Sequence, residues 1–388
     1  MTTGDDVSET LDLEKLAAGE RLVLSATVVG RDSETGDLTL SCQALAGGGR
    51  FQGTLTLPTL QPVPQEPGSL RYRRLIDMTK GMPPLRMAVV HPVDGPSLNG
   101  AVEAAREGLI VPVLVGPRAR IEAAATAAGL DISAFELVAT EHSHAAAETG
   151  VALARAGKVE ALMKGALHTD ELMHAVVDRA AGLRTARRIS HVFAIDAPAY
   201  PRPLLLTDAA INVTPGLEEK YDIVQNAIDL AHALGITRPR VAILSAVETV
   251  TPRLPSTLDA AALCKMADRG QITGGLVDGP LAFDNAVSPE AAATKGIVSP
   301  VAGRADILVV PDLEAGNMLA KQLEYLAAAQ MAGIVLGARV PIVLTSRADG
   351  TAARLGSAAV ALLLARHQAA GNKDGANGAP GNPEGVAR

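Results

Sequence analysis

Hydrophobic and polar positions follow two different rhythms along the chain, and the change falls near residue 70. Between Arg21 and Leu60 the runs LVLSATVVG, LTLSCQAL and FQGTLTL are short and rich in β-branched residues. Breaks holding Gly and Asp separate them, among them SETGD, which ends at Asp37. This spacing predicts a meander of short antiparallel strands. PTLQPVPQEPG comes next, with four prolines in eleven residues. Each proline fixes φ and removes a backbone donor, so the segment reads as a linker.

From Met87 onward the rhythm is strand, turn, helix, repeated. MAVVHPVDG is an apolar run that ends in a turn; Ser97 stands where it could cap LNGAVEAARE, and Gly108 ends that helix. VPVLVGP leads into RIEAAATAAG, ELVAT into HAAAETGVALARAG, and VEALMKG opens another unit. Ser or Thr before a periodic stretch and Gly after it are the expected helix punctuation. Continuously apolar strands alternating with helices predict a parallel sheet covered on both faces. The alternation continues through SHVFAID, PLLLTDAA, a long helix from Leu217 to Leu234, VAILSAV, GLVDGPLA, ADILVVPD and VPIVLTS. These are more strands than one sheet holds comfortably, so two α/β lobes facing a cleft are expected. QAAGNKDGANGAPGNPEGVAR is rich in Gly, Asn and Pro and predicts a disordered tail.

Composition narrows the function. The net charge of −7 argues against a nucleic-acid binder, which needs a positive footprint. Four Phe, four Tyr and no Trp leave little for stacking on bases. Cys42 and Cys264 lie far apart and read as small buried hydrophobes in a reducing compartment. MTTGDDVSETLDLEK is acidic where a signal peptide is basic, and no apolar run approaches membrane-spanning length. A cytoplasmic protein is expected, without membrane or nucleic-acid partners.

In parallel α/β sheets, ligands bind beyond the carboxyl ends of strands, so the polar residues there are the candidates. Four places qualify. After VEALM come Lys164, Gly165, His168 and Thr169. The glycine admits a close ligand, Thr169 could cap a helix whose N-terminus favours anions, and Lys164 adds a charge suited to phosphate. An ordinary strand–helix junction reads equally well. After ADILV, Asn317 and Lys321 share one helix face, and a solvated helix start is the alternative. After VPIVL stand Thr345, Ser346 and Arg347, a hydroxyl beside a guanidinium that suits an oxyanion or simply a surface pair. Asp284 and Asn285 interrupt GPLAFDNA, where a tight turn is the plain reading.

Other patterns carry less. His142 and His144 form H-x-H at the start of a helix, and His168 and His174 are spaced wrongly for one helix face. No Cys pair or His/carboxylate spacing resembles a zinc site, so no metal is expected. G-x-G-x-x-G, the P-loop pattern and G-x-S-x-G are all absent.

Taken in order, VVHPVDGPSLNGAVEAAREGLIVPVLVGP, MKGALHTDEL, LSAVETVTPRLPSTLDAAAL, GGLVDGPLAFDNAVS, SPVAGRADILVVPDLEAGNMLAK and VPIVLTSRAD resemble the phosphate acetyltransferase and phosphate butyryltransferase family. The resemblance runs from about Leu75 to about Ala370. It implies the two-lobed fold of isocitrate and isopropylmalate dehydrogenases, with the site in the cleft and a homodimer or larger homo-oligomer. Lobe 1 would comprise residues 71–185 plus 333–370, lobe 2 residues 186–332, with a β-rich segment and linker over 1–70 and a tail over 371–388. The implied reaction is acyl-CoA plus phosphate giving acyl phosphate plus CoA, by direct transfer in a ternary complex. Coenzyme A is then a substrate, and no tightly bound cofactor is implied.

The resemblance implies Ser346 and Arg347 as catalytic, the hydroxyl assisting the reacting groups and the guanidinium holding phosphate. It implies Thr169, Asn317 and Lys321 as substrate-binding, and the strand-end positions add Lys164, His168 and Asp284 to that set. The acetyl-specific branch carries a carboxylate base a few residues after Ser-Arg, where this chain has Ala353; Asp349 is the nearby substitute. Lys164 stands in place of a Ser, and Ala175 in place of an Arg, which draws the chain toward the butyryl type. ERLVLSATVVGRDSETGDLTLSCQALAGGGR resembles the closing strands of a MaoC-type hotdog hydratase, which some relatives carry ahead of the acyltransferase. The first histidine is His91, so the hydratase's early Asp/His loop has no counterpart, and the segment reads as a remnant used for packing or assembly. The alternatives are a catalytically silent CoA or acyl-phosphate binder and a dehydrogenase of the related fold.

Overall fold

The computed structural model describes residues 24–31, 38–46, 49–57, 70–345 and 350–377. They fall into two units, Met1–Pro67 and Gly68–Arg388. In the first, β1 (Leu24–Arg31), β2 (Leu38–Ala46) and β3 (Gly49–Leu57) pair antiparallel in sequence order. The Pro-rich stretch read as a linker lies outside the described residues.

The second unit opens with α1 (Leu70–Met78), β4 (Leu85–Val90), α2 (Gly95–Arg106), β5 (Ile110–Gly116) and α3 (Arg118–Ala128). It continues with β6 (Glu136–Ala139), α4 (Ser143–Arg155), β7 (Ala161–Lys164) and α5 (Thr169–Val177). Helix α2 shows how the sequence builds these pieces. Leu98, Ala101, Val102 and Ala104 are buried while Arg106 is exposed at the last turn, where a cation suits the helix dipole. A leucine so buried contributes ~1.5–3 kcal/mol. Its cap is Asp94 and not Ser97: the Asp94 carboxylate accepts the Ser97 backbone N–H at 2.8 Å. Pro96, which has no N–H to satisfy, fits the first turn and draws the helix start forward. Helix α3 stops at Gly129, whose φ of 64° is the left-handed conformation a side chain would disfavour.

The chain proceeds through β8 (Ser190–Asp196), β9 (Leu204–Thr207), α6 (Leu217–Ala233), β10 (Arg240–Leu244), α7 (Pro255–Asp268) and β11 (Leu276–Leu281). Then come α8 (Phe283–Val287), α9 (Pro289–Thr294), β12 (Ile307–Val309), α10 (Leu313–Leu326), β13 (Gln330–Leu336), β14 (Ile342–Val343) and α11 (Thr351–Asn377). Helix α11 runs past Ala370, the tail boundary that composition suggests. Its buried strip from Ala358 to Leu364 anchors it, and extending a formed helix costs little per residue. Among the described residues no helix is long and apolar enough to cross a membrane.

The strands do not divide into two sheets as expected. They form one eleven-stranded mixed sheet in the order β11-β10-β12-β9-β8-β13-β14-β7-β4-β5-β6. β14, β7, β4, β5 and β6 are parallel, and so are β9, β12, β10 and β11. β13 pairs antiparallel with both β14 and β8, and β8 antiparallel with β9, so the two parallel blocks run in opposite senses. β13 (QMAGIVL) is the strand that the sequence reading lacked, and it splices the blocks together.

Strand periodicity sorts the middle of this sheet onto two faces. Val192, Ala194, Ala332, Ile334 and Val343 pack in one core cluster with α11. His191, Phe193, Met331 and Gly333 take the alternate positions. His191 is 1% exposed, its Nδ1 has no hydrogen-bond partner among the described residues, and burial pushes its pKa down to about 3. Beside β7, Gly165 donates its N–H to the Val90 carbonyl at 2.9 Å, and Ala166 donates to the His91 carbonyl at 2.9 Å. A Cβ at Gly165 would lie 2.5 Å from the Val90 oxygen, so only glycine lets the chain cross β4 here.

Two outcomes follow for stability. Gly165→Ala forces backbone against backbone and lowers the unfolding free energy by about 1–3 kcal/mol, read from urea unfolding. Because His191 stays uncharged when folded but protonates in the unfolded chain below pH 6.5, its contribution falls as pH drops from 6.5 toward 3. The slope from this group approaches ~1.4 kcal/mol per pH unit. His191→Phe removes that part, so the variant's urea midpoint declines less between pH 7 and pH 5 than the wild type's.

Candidate active site

A cavity of about 610 Å³ opens on the face of the sheet that carries His191 and Phe193. One wall begins at β7, whose last residue, Lys164, is 4% exposed. Its Nζ lies 3.5 Å from the carbonyls of Gly165 and Thr345. The crossing at Gly165 then delivers the chain to α5. His168 is the N-cap of that helix, and Glu171 accepts its backbone N–H at 3.3 Å. Thr169 is therefore the first helical residue and not the cap, and both His168 and Thr169 line the cavity.

The facing wall is α10. Asp312 caps it by accepting the Ala315 N–H at 2.8 Å. Gly316 brings it close to Ala209 and Val310, where a Cβ would lie 2.7 Å from the Val310 side chain. One residue on, the Asn317 amide donates to the Ala209 carbonyl at 3.4 Å. Lys321 follows one turn later, 3.1 Å from Glu324 and 5.6 Å over the Tyr325 ring. Asn317, Lys321 and Glu324 all line the cavity, so the i,i+4 pair does point into one space.

The third side is the end of β14. Thr345, 3% exposed, accepts a hydrogen bond from Arg354 Nη1 at 2.7 Å, and Arg354 is itself 4% exposed. The Arg354 stem lies against Gly100 of α2, where any Cβ would collide with it. Ser346, Arg347 and Asp349 lie outside the described residues. Thr345 and Gly350, on either side of them, both line the cavity, as does Ala353.

Underneath lie His191, Phe193, Met331 and Leu344. The sequence reading missed all four, along with Glu324 and Gln330. The period-two pattern of SHVFAID put His191 and Phe193 on one face without saying which.

Asp284 is not among the described residues that line this cavity. It opens α8, in the oppositely directed block, and lies 3.7 Å from Lys295. Lys295 is also 2.5 Å from Glu248, which accepts a hydrogen bond from the Asn285 amide. A larger hollow of about 1030 Å³ lies between α4 and α5, lined by His144, Glu148, Arg155, His174 and Ala175 among others, and none of the candidate residues. Of the H-x-H pair, His144 lines that hollow, 3.2 Å from Glu171, and His142 caps α4 by accepting the Ala145 N–H at 3.1 Å. Among the described residues no three His, Cys, Asp or Glu side chains converge to hold a metal. Cys264 is half-buried, and burial pushes its thiol up to about 12, so it stays protonated.

Two lysines, the start of α5, a threonine hydroxyl and an amide thus meet an uncharged floor. Such a site can hold an anion against an apolar group.

Residues 139–362 match the family model described as phosphate acetyl/butaryl transferase. The chain is 62% identical over 300 residues to a phosphate acetyltransferase of Rhizobium meliloti, which spans 77% of this chain and 95% of that protein. It is 42% identical over 294 residues to a phosphate butyryltransferase of Clostridium acetobutylicum, which spans 76% of this chain and 98% of that one. The crystal structure of a branched-chain phosphotransacylase from Enterococcus faecalis superimposes with a TM-score of 0.64 at 30% identity, covering 73% of this chain and all of that one. A family model matched over more than half the chain, and a relative this similar over nearly its whole length, establish that the chain belongs to the phosphate acetyl/butyryl transferase family.

Proposed function

We propose that the chain transfers an acyl group between coenzyme A and inorganic phosphate in the cavity bounded by β7, α10 and the end of β14. The observation that carries this is convergence: Lys164, Thr169, Asn317 and Lys321, far apart in sequence, line one space with Thr345 and Gly350. A phosphate oxygen attacks the thioester carbonyl, the tetrahedral intermediate collapses, and CoA leaves as thiolate. Arg347 grips the phosphate bidentately, and Ser346 donates a hydrogen bond to the reacting oxygens. Lys164 and Lys321 offset the charge that builds on oxygen and sulfur. Holding both substrates in one cavity supplies proximity and makes a covalent intermediate unnecessary. In the reverse direction the thiol must lose a proton, and Asp349 is the base we assign.

The two oppositely directed blocks are read as two lobes, residues 71–185 plus 333–370 and residues 186–332, with the substrates between them. A homodimer in the cytoplasm fits this reading. Residues 1–70 are assigned to packing or assembly, and deleting them without effect on either sedimentation or activity would refute that. Asp284 stays outside the assignment.

Ala353 supports a second reading. It lines the cavity where a carboxylate is expected in the acetyl-specific branch, so the chain could bind CoA without turnover. Release of free thiol from acetyl-CoA and butyryl-CoA separates the two. Turnover predicts release that requires phosphate, falls by about 100-fold or more in Arg347→Ala, and needs about tenfold more phosphate in Lys321→Ala. CoA binding with no release would establish the silent binder, and Ala353→Asp would be the substitution to restore chemistry.

A further inference from the structure

The proposed reaction joins an anion to an acyl group, and the cavity has a wall suited to each. Lys164, Thr169 and Lys321 serve the anion. The floor beneath them is formed by Phe193, Met331 and Leu344, and the small side chains of Ala210 and Ala329 line the same cavity. We infer that this surface is an acyl-chain pocket that takes straight chains longer than acetyl, with Phe193 setting its depth. The inference rests on the acyl-transfer reading above.

The floor is built to be deep. Gly333 pairs with Phe193 across the β8–β13 ladder. A Cβ on Gly333 would lie 2.5 Å from the Leu344 oxygen, 3.0 Å from His191 Nε2 and 3.4 Å from Phe193 Cε1. The two rings lie over bare backbone at Gly333, where a Cβ would crowd the Leu344 carbonyl and the His191 ring. The rings meet edge to face, with centroids 4.4 Å apart and planes at 75°. That contact braces Phe193 in the geometry aromatic pairs prefer. His191 carries no charge at neutral pH, so the floor presents nothing to repel a hydrocarbon.

The floor is also only partly covered. Phe193 and Met331 are both half-buried, and both face the cavity. The single methyl of an acetyl group would leave most of that surface against water. Ala210 and Ala329 line the same cavity with short side chains, and the unbranched Met331 side chain adapts to what enters. Each methylene accommodated or refused in such a pocket changes discrimination by about 10- to 200-fold.

The test is kcat/KM for acetyl-, butyryl- and hexanoyl-CoA at saturating phosphate, in wild type, Phe193→Leu and Ala210→Leu. The pocket predicts that wild type uses butyryl-CoA at least as well as acetyl-CoA. Phe193→Leu, which deepens it, raises the hexanoyl-to-acetyl ratio by about tenfold or more. Ala210→Leu, which fills it, lowers the butyryl-to-acetyl ratio by about tenfold. Ratios are read because a partly unfolded variant loses activity on every substrate equally. An active wild type confined to acetyl-CoA, or ratios within about twofold of wild type in both variants, overturns the pocket alone. A wild type that releases no thiol from any of the three overturns the reaction and the pocket together.

Discussion

The antiparallel ladder between β8 and β13, from Ser190↔Leu336 to Asp196↔Gln330, is the interaction on which the rest depends. Two parallel blocks that run in opposite senses cannot share a parallel pairing. The sheet stays continuous because strand direction reverses at β13 and again at β8 and β9. Both strands are largely buried, so each ladder bond broken would strand backbone groups away from water at about 1–3 kcal/mol apiece. The ladder thereby holds β7 and α5 at a fixed distance from α10. Those elements supply the two walls of the cavity, and without the splice they would be unrelated surfaces.

The same ladder explains the division of chemistry within the site. Period-two alternation sends Val192, Ala194, Ala332 and Ile334 into the core against α11, and leaves His191, Phe193 and Met331 facing the cavity. A cationic wall and an uncharged floor thus come from different elements: strand ends and helices for the first, strand faces for the second. Cations near a low-dielectric floor act more strongly on developing charge than they would in water. Buried support extends outward from there. Arg354 holds Thr345 from behind, and glycine at position 100 is what lets Arg354 lie there.

Much of the fold was legible because its signals are local. The strand–helix rhythm, helix α6 and the H-x-H helix start all follow from periodicity and capping chemistry. So did Lys164, Asn317 and Lys321, which stand just beyond apolar runs. What escaped depends on distant partners. QMAGIVL follows Ala327, Ala328 and Ala329 with no Gly or Pro to mark a boundary after α10, so neither β13 nor the single sheet it completes is legible locally. Ser97 is the hydroxyl nearest the apolar run, whereas Pro96 sets the helix start earlier and gives the cap to Asp94. His191 and Phe193 sit inside a buried strand, where sequence gives the face-sharing and not the face. Asp284 follows β11 at the edge of the sheet, whereas Asn317 and Lys321 follow β12, two strands nearer the β8–β13 splice in the same block. The meaning of a strand-end residue therefore depends on an order of strands that only the pairing reveals.

The most direct measurement is a crystal structure with coenzyme A and inorganic phosphate bound. The account predicts phosphate against Lys164 and the first turn of α5, with the CoA thiol in the same cavity above Phe193. Coenzyme A lodged instead in the hollow between α4 and α5, against His144, Arg155 and His174, would contradict it.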